Sequence, residues 1–179
     1  MFFKKKNNQV KLIYQNIVEI SRSKFFYLDL KLSDDFETRF DLIIFHAFII
    51  FFYYKSLNDK KSSISQELFD LMFSDFENNL REMGFGDIAV NKKMKIFIRA
   101  FYGRIAQYSK SIEIYKAKGD KLLLQQSILN NIYKGNNKSA KFINYFIVYM
   151  TENIDHFIKN DEQENLKTYF HFINIKYEK

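Results

Sequence analysis

Few side chains in this sequence could do chemistry. It has three histidines, His46, His156 and His171, and no cysteine, and the acidic pairs that could belong to an Asp-rich motif are Asp34 with Asp35 and Asp70 with Asp75. No two histidines have metal-ligand spacing, and the His-Glu-x-x-His pattern that puts two imidazoles on one helical face is absent. Helical enzymes of isoprenoid metabolism hold magnesium and pyrophosphate on Asp-rich motifs whose carboxylates converge. Asp70 and Asp75 diverge by about 140° around a helix, and Asp34-Asp35 runs on into Phe36-Glu37 rather than a third aspartate at the right step. Gly84-Phe85-Gly86 lacks the spacing and the Lys-Ser/Thr pair of a phosphate-binding loop. Three scattered histidines support no nucleophile–base arrangement. The expectation is a protein with no catalytic residue, metal or cofactor that acts by contact; a helical enzyme of isoprenoid type stays as an alternative.

The elements that would position contacts are helical, because apolar residues recur at three- and four-residue steps and no alternating strand segment occurs. A first helix, Asn8 to Ser21, gathers Leu12, Ile13, Ile17 and Ile20 on one side. A second starts after Asp34 or Asp35 as N-cap and runs to Leu57. It is apolar all round from Leu42 to Tyr54, as a helix enclosed by neighbours is, which puts His46 in the core. Ser63 with Gln66 reads as a capping box for a third helix that ends at Gly84. Asn91 caps a fourth, ending near Gly119, with Met94, Ile98, Phe101, Ile105, Tyr108, Ile112 and Tyr115 as one seam. Gly103 inside it costs about 1 kcal/mol relative to Ala, which implies close approach of another backbone or a ligand. Asp120 caps a fifth helix to about Tyr133, a sixth runs from Phe142 to about Ile158, and Asp161 to Lys179 is assigned a short seventh. The predicted fold is all-α: one single-domain helical bundle of six or seven helices over residues 1–179.

Composition narrows the partners. Of the 179 residues, 47% are apolar and 27% charged, a globular balance, with 21 Phe and 12 Tyr. That aromatic excess predicts an apolar groove beyond the needs of one core. The net charge of +7 suits an anionic partner, whether RNA, ribosome or lipid, or reflects A+T-rich coding drift toward Lys, Asn, Ile and Phe. Lys92, Lys93, Lys95 and Arg99 form a basic patch at the start of the fourth helix, and no Arg-rich block calls for specific DNA binding. No secretory signal is visible. The apolar run Leu42 to Tyr54 is shorter than the about 20 residues a spanning helix needs. The amphipathic stretch Phe2-Phe3-Lys4-Lys5-Lys6 offers a peripheral membrane contact.

Several strings then carry a resemblance. Arg22 with Phe26-Tyr27 is followed by a turn at Lys31-Leu32-Ser33-Asp34, by Arg39-Phe40-Asp41, and by His46. Next come Leu68-Phe69-Asp70, Phe73, Asp75, then Leu80-Arg81-Glu82-Met83-Gly84-Phe85-Gly86-Asp87, then Val90, Lys92, Met94 and Lys95, and finally Ala100-Phe101-Tyr102-Gly103-Arg104. In this register the chain resembles the ubiquinol–cytochrome c chaperone family from about Tyr14 to Tyr133. It departs where that family has Gly and Pro before Asp34, with Lys31 and Ser33 here, and at Lys24, another family Pro. The last forty or so residues look lineage-specific, with a C-terminal extension from about 160. The resemblance implies a bc1-complex assembly chaperone that holds nascent or unassembled cytochrome b, with a ribosome contact and a small helical partner. It implies a cytoplasmic protein in bacteria, peripheral at the inner membrane.

Contact candidates follow from these motifs. Arg39 opposes the helix dipole and so calls for a carboxylate, Asp70 or Asp75, or else faces a partner; Asp41 suits the dipole. Arg81 can pair with Glu77, while Glu82 shares an acidic edge with Asp75 and Asn79 that faces a basic partner or water. Gly84 and Gly86 permit positive φ in a tight loop whose backbone Asp87 bonds. Phe101 belongs to the core; Tyr102 and Arg104 fall off the seam and would meet a client helix. The other reading of the basic patch is a ribosome- or RNA-associated adaptor.

Overall fold

The computed structural model of the protein describes residues 2–57, 62–136, 140–160 and 171–174. In chain order the helices are α1 (Phe2–Ser21), α2 (Lys24–Leu28), α3 (Phe36–Ser56), α4 (Ser62–Glu82), α5 (Asp87–Lys118), α6 (Leu122–Ile132) and α7 (Ala140–Lys159). No strand occurs among the described residues, so the chain is all-α. The polar loop at 58–61, residues 161–170 and 175–179 of the expected seventh helix, and the side chains of Lys4, Lys5 and Lys6 lie outside the described residues.

The apolar-all-round stretch explains the architecture. α3 packs against α1, α4, α5, α6 and α7, and Leu42, Ile44, Phe45, Ala47, Ile49 and Ile50 have no exposed surface. Each large apolar side chain so enclosed contributes about 1.5–3 kcal/mol. Of the two aspartates before it, Asp35 is the cap: its carboxylate accepts the Thr38 amide at 2.7 Å, and this bond lowers its pKa. The aromatic excess goes mainly into this core, since Tyr102 alone among the described Phe and Tyr side chains is exposed.

The turns show where local pattern was insufficient. α2 is too short for periodicity to reveal, yet it delivers Phe26 into the core at 1% exposure. The chain then turns through Lys31, at φ 59°, with the Leu32 amide bonded to the Phe26 carbonyl at 3.2 Å. A lysine thus holds a left-handed conformation where the resembled family has Gly, and Leu30 and Leu32 on either side are both buried. Gly84 ends α4 as expected, at φ 86°. Its amide bonds Arg81 and the Phe85 amide bonds Leu80, a Schellman closure at 2.9 and 3.2 Å.

Five expectations are corrected. Ser63 lies inside the first turn of α4, not at its cap. α5 starts at Asp87 with Gly86 as N-cap at φ −71°, so Gly86 needs no positive φ, Asp87 is a helical residue, and Asn91 is interior. Along α5 the inward stripe uses Phe97, which packs on Phe36 and Phe40 at 5.7 and 4.6 Å, while Ile98 turns outward. A Cβ on Gly103 would meet nothing within 4 Å, so no backbone crowds it. At the C-terminus, residues 171–174 are not helical; buried Asn153 accepts the Ile173 amide at 2.8 Å and Phe172 covers His46 and Phe157 at 5.1 and 5.4 Å.

Three substitutions test this backbone account by urea denaturation. Gly103→Ala raises stability by about 0.5–1 kcal/mol, Lys31→Gly raises it by up to about 1 kcal/mol, and Gly84→Ala lowers it by about 1–2 kcal/mol.

Candidate functional site

Three of the family-like strings meet in space. Asp41, on the first turns of α3, is 1% exposed, and its Oδ1 lies 2.6 Å from Nη2 of Arg104 on α5. The Lys134 ammonium closes on the other oxygen. The Arg104 guanidinium also lies over the Phe40 ring at 5.7 Å. Next to it, Phe101 packs against Phe69 and Phe73 of α4 at 5.2 and 5.5 Å. Arg39-Phe40-Asp41, Leu68-Phe69-Asp70 and Ala100-Phe101-Tyr102-Gly103-Arg104 therefore interlock as one charged, aromatic junction. Burial lowers the pKa of both Arg104 and Lys134. Asp41 and Arg104 were expected at a client surface; the carboxylate is enclosed and the guanidinium turns inward to neutralise it. Lys134 gave no signal in the sequence. It projects from a left-handed residue, φ 53°, in the turn after α6.

His46 is the core residue its apolar helix implied, with no exposed surface. Its Nδ1 is 2.8 Å from the Leu42 carbonyl, which can only accept, so Nδ1 carries the proton. Ser21 Oγ approaches the same nitrogen at 2.9 Å. Phe26, Phe45, Tyr149 and Phe172 surround the ring within 5.1–5.6 Å. Burial in this aromatic cage pushes its pKa down to about 3.

A second group of motif residues gathers at the surface between α1, α3 and α4. Arg22, Arg39, Asp75 and Asn79 rim a small pocket floored by Phe36, Phe40, Ile43 and Phe76. Arg39 pairs with Asp34 at 2.8 Å rather than with Asp70 or Asp75. Asp75 is instead taken by the Tyr14 hydroxyl of α1, which donates at 2.6 Å; burial and this bond raise the Tyr14 pKa. Asp75 therefore stitches α1 to α4, and only Glu82 of the expected acidic edge stands exposed.

At the α4–α5 corner Arg81 bonds Glu77 at 2.8 Å, as spaced, and also Asp87 at 2.5 Å. Asp87 thus bonds across the corner rather than to its own loop. Lys92, Lys95 and Arg99 are exposed along α5, and Lys93 lies over the Phe85 ring at 4.7 Å. Tyr102 is 59% exposed beside Phe69, at 5.8 Å. Met83, Ile88, Ile96 and Ile98 are exposed in the same stretch. Among the described residues no three His, Asp or Glu side chains converge as a metal site would require.

Two outcomes check this electrostatic picture. Arg104→Met leaves Asp41 with Lys134 as its one cation and costs about 3 kcal/mol in urea denaturation. His46 is neutral in the fold, while an unfolded histidine titrates near 6.5, so below that pH the unfolded chain binds the extra proton. Stability is full above about pH 6.5 and falls by about 1.4 kcal/mol per unit as pH drops toward 5. His46→Phe removes that part of the slope in urea midpoints taken from pH 7 to 5.

Comparison with known proteins bears on all of these residues together. The family model described as ubiquinol-cytochrome C chaperone matches residues 28–172, reaching past Tyr133 to the Phe172 that covers His46. The crystal structure of the Cbp3 homolog from Brucella abortus superposes with a TM-score of 0.81 at 25% identity, over 96% of this chain and 92% of that one. No curated protein matches. The match spans the Asp41–Arg104 junction and, of the His46 cage, Phe45, Tyr149 and Phe172, and the chain belongs to the ubiquinol-cytochrome C chaperone family.

Proposed function

We propose that this protein is a non-enzymatic assembly chaperone that holds cytochrome b of the ubiquinol–cytochrome c reductase complex through the outward side of α4 and α5. Membership of the chaperone family supports the class of activity. The observation that carries the contact is the exposed pair Ile98 and Tyr102, one turn apart on α5, the latter tilted against Phe69 at 5.8 Å. A membrane protein waiting for its cofactors and partners exposes apolar helix surface, which is costly in water. An exposed aromatic backed by a rigid ring, next to an aliphatic neighbour, is the arrangement from which interface hot spots are built.

The work done is contact alone: covering a client face until partner subunits bury it. No helix among the described residues is long and apolar enough to cross a membrane. The pocket rimmed by Arg22 and Arg39 lies away from the Ile98–Tyr102 pair and suits an acidic side chain of a second protein, such as a small helical partner.

A photo-crosslinking residue at Tyr102 in native cells tests the reading. Cytochrome b in the captured band, reduced about tenfold or more by Ile98→Glu, is the expected result. Capture of ribosomal proteins alone would replace it with the ribosome-adaptor reading, centred on Lys92, Lys93, Lys95 and Arg99.

A further inference from the structure

Opposite its buried side, α5 presents one uninterrupted outward stripe. Ile88, Lys92, Lys95, Arg99, Gly103, Ala106 and Lys110 follow in four- and three-residue steps, and every one is exposed. Ile96 flanks the stripe at 61% exposure and Ile88 opens it at 76%. The stripe is straight and about 33 Å long at 1.5 Å per residue. Between Ile88 and Ile112 there are six Lys or Arg residues and no Asp or Glu. Among the described residues Lys92, Lys95, Arg99 and Lys110 have no carboxylate partner, whereas Arg104 on the inner side has Asp41.

The mixture of residues selects the partner. Unneutralised cations at this density call for a surface of negative charge. RNA would supply it, but phosphate contacts gain nothing from aliphatic side chains, and Ile88 and Ile96 are the most exposed isoleucines of the described chain. Basic residues interleaved with exposed aliphatics on one straight helical face satisfy both layers of a lipid interface: cations at the phosphates, isoleucines just below them.

We propose that the outward stripe of α5 is a docking surface for an anionic phospholipid bilayer, with Lys92, Lys95, Arg99 and Lys110 at the headgroups and Ile88 and Ile96 inserted beneath. It places the Ile98–Tyr102 pair beside the membrane, but it stands whatever the client is.

The full chain is sedimented with phosphatidylcholine vesicles containing or lacking phosphatidylglycerol, and with a single-stranded RNA oligonucleotide as competitor. Binding is expected only to the phosphatidylglycerol vesicles, with loss at high salt. Lys92→Glu/Arg99→Glu and, separately, Ile88→Asp/Ile96→Asp should each weaken it at least tenfold. Helix content and thermal midpoint should not change, because all four positions are exposed. Absence of vesicle binding, or binding that neither pair of substitutions alters, overturns the proposal. So does RNA binding that depends on the cations while the isoleucine variants behave as wild type.

Discussion

A buried carboxylate organises this bundle. Asp41 sits at 1% exposure near the start of α3, the helix around which the others pack. An uncompensated charge there would be prohibitive, so α5 and the turn after α6 must each deliver a cation to it. Arg104 and Lys134 do so from opposite sides. The requirement sets the rotation of α5: with Arg104 turned inward, Phe101 falls against α4 and the cationic stripe ending at Lys110 faces out. Neutralising one aspartate therefore also decides which surface of the longest helix remains free.

The His46 cage anchors the other end of the molecule. Ser21 reaches it from the end of α1, Phe26 from α2, Tyr149 from α7 and Phe172 from the chain beyond α7. The single imidazole proton is given to the Leu42 carbonyl, and burial keeps the ring neutral, with aromatic side chains surrounding it. The Asn153 side chain holds the backbone at Ile173 and so keeps Phe172 in place as the last wall. The family match runs to residue 172, the last of these walls. These contacts show why aromatic residues are plentiful: they tile this core, and the exposed apolar surface is mostly aliphatic.

Family membership and packing together divide the motif residues by role. Asp41, Phe101 and Arg104 hold helices to each other, as do Asp75 through Tyr14 and Gly84 through its turn. Arg22, Arg39, Glu82, Tyr102 and the cations Lys92, Lys95 and Arg99 of early α5 face outward. A chaperone needs both sets. Rigid packing fixes the geometry of the contact face, and the face itself contributes little to stability.

Much of this was legible in the order of residues, because helix periodicity, caps and enclosure are local. The run Leu42 to Tyr54 announced the central helix, Gly84 its αL turn, and an apolar setting the burial of His46. The spaced strings from Arg39 to Arg104 announced the family. What pairs with what was not local. Asp41 meets Lys134 and Tyr14 meets Asp75 across 93 and 61 residues of sequence. A charge on a helix can face water or a neighbour at the same periodic position, so Arg104 and Asp75 read as surface until the helices were packed. Ile98 likewise fitted an ideal seam, yet Phe97 takes the inward place and Ile98 stands exposed. Sequence determined where the helices lie and which family they build; tertiary packing decided which charges were buried, and so which face of α5 was left exposed.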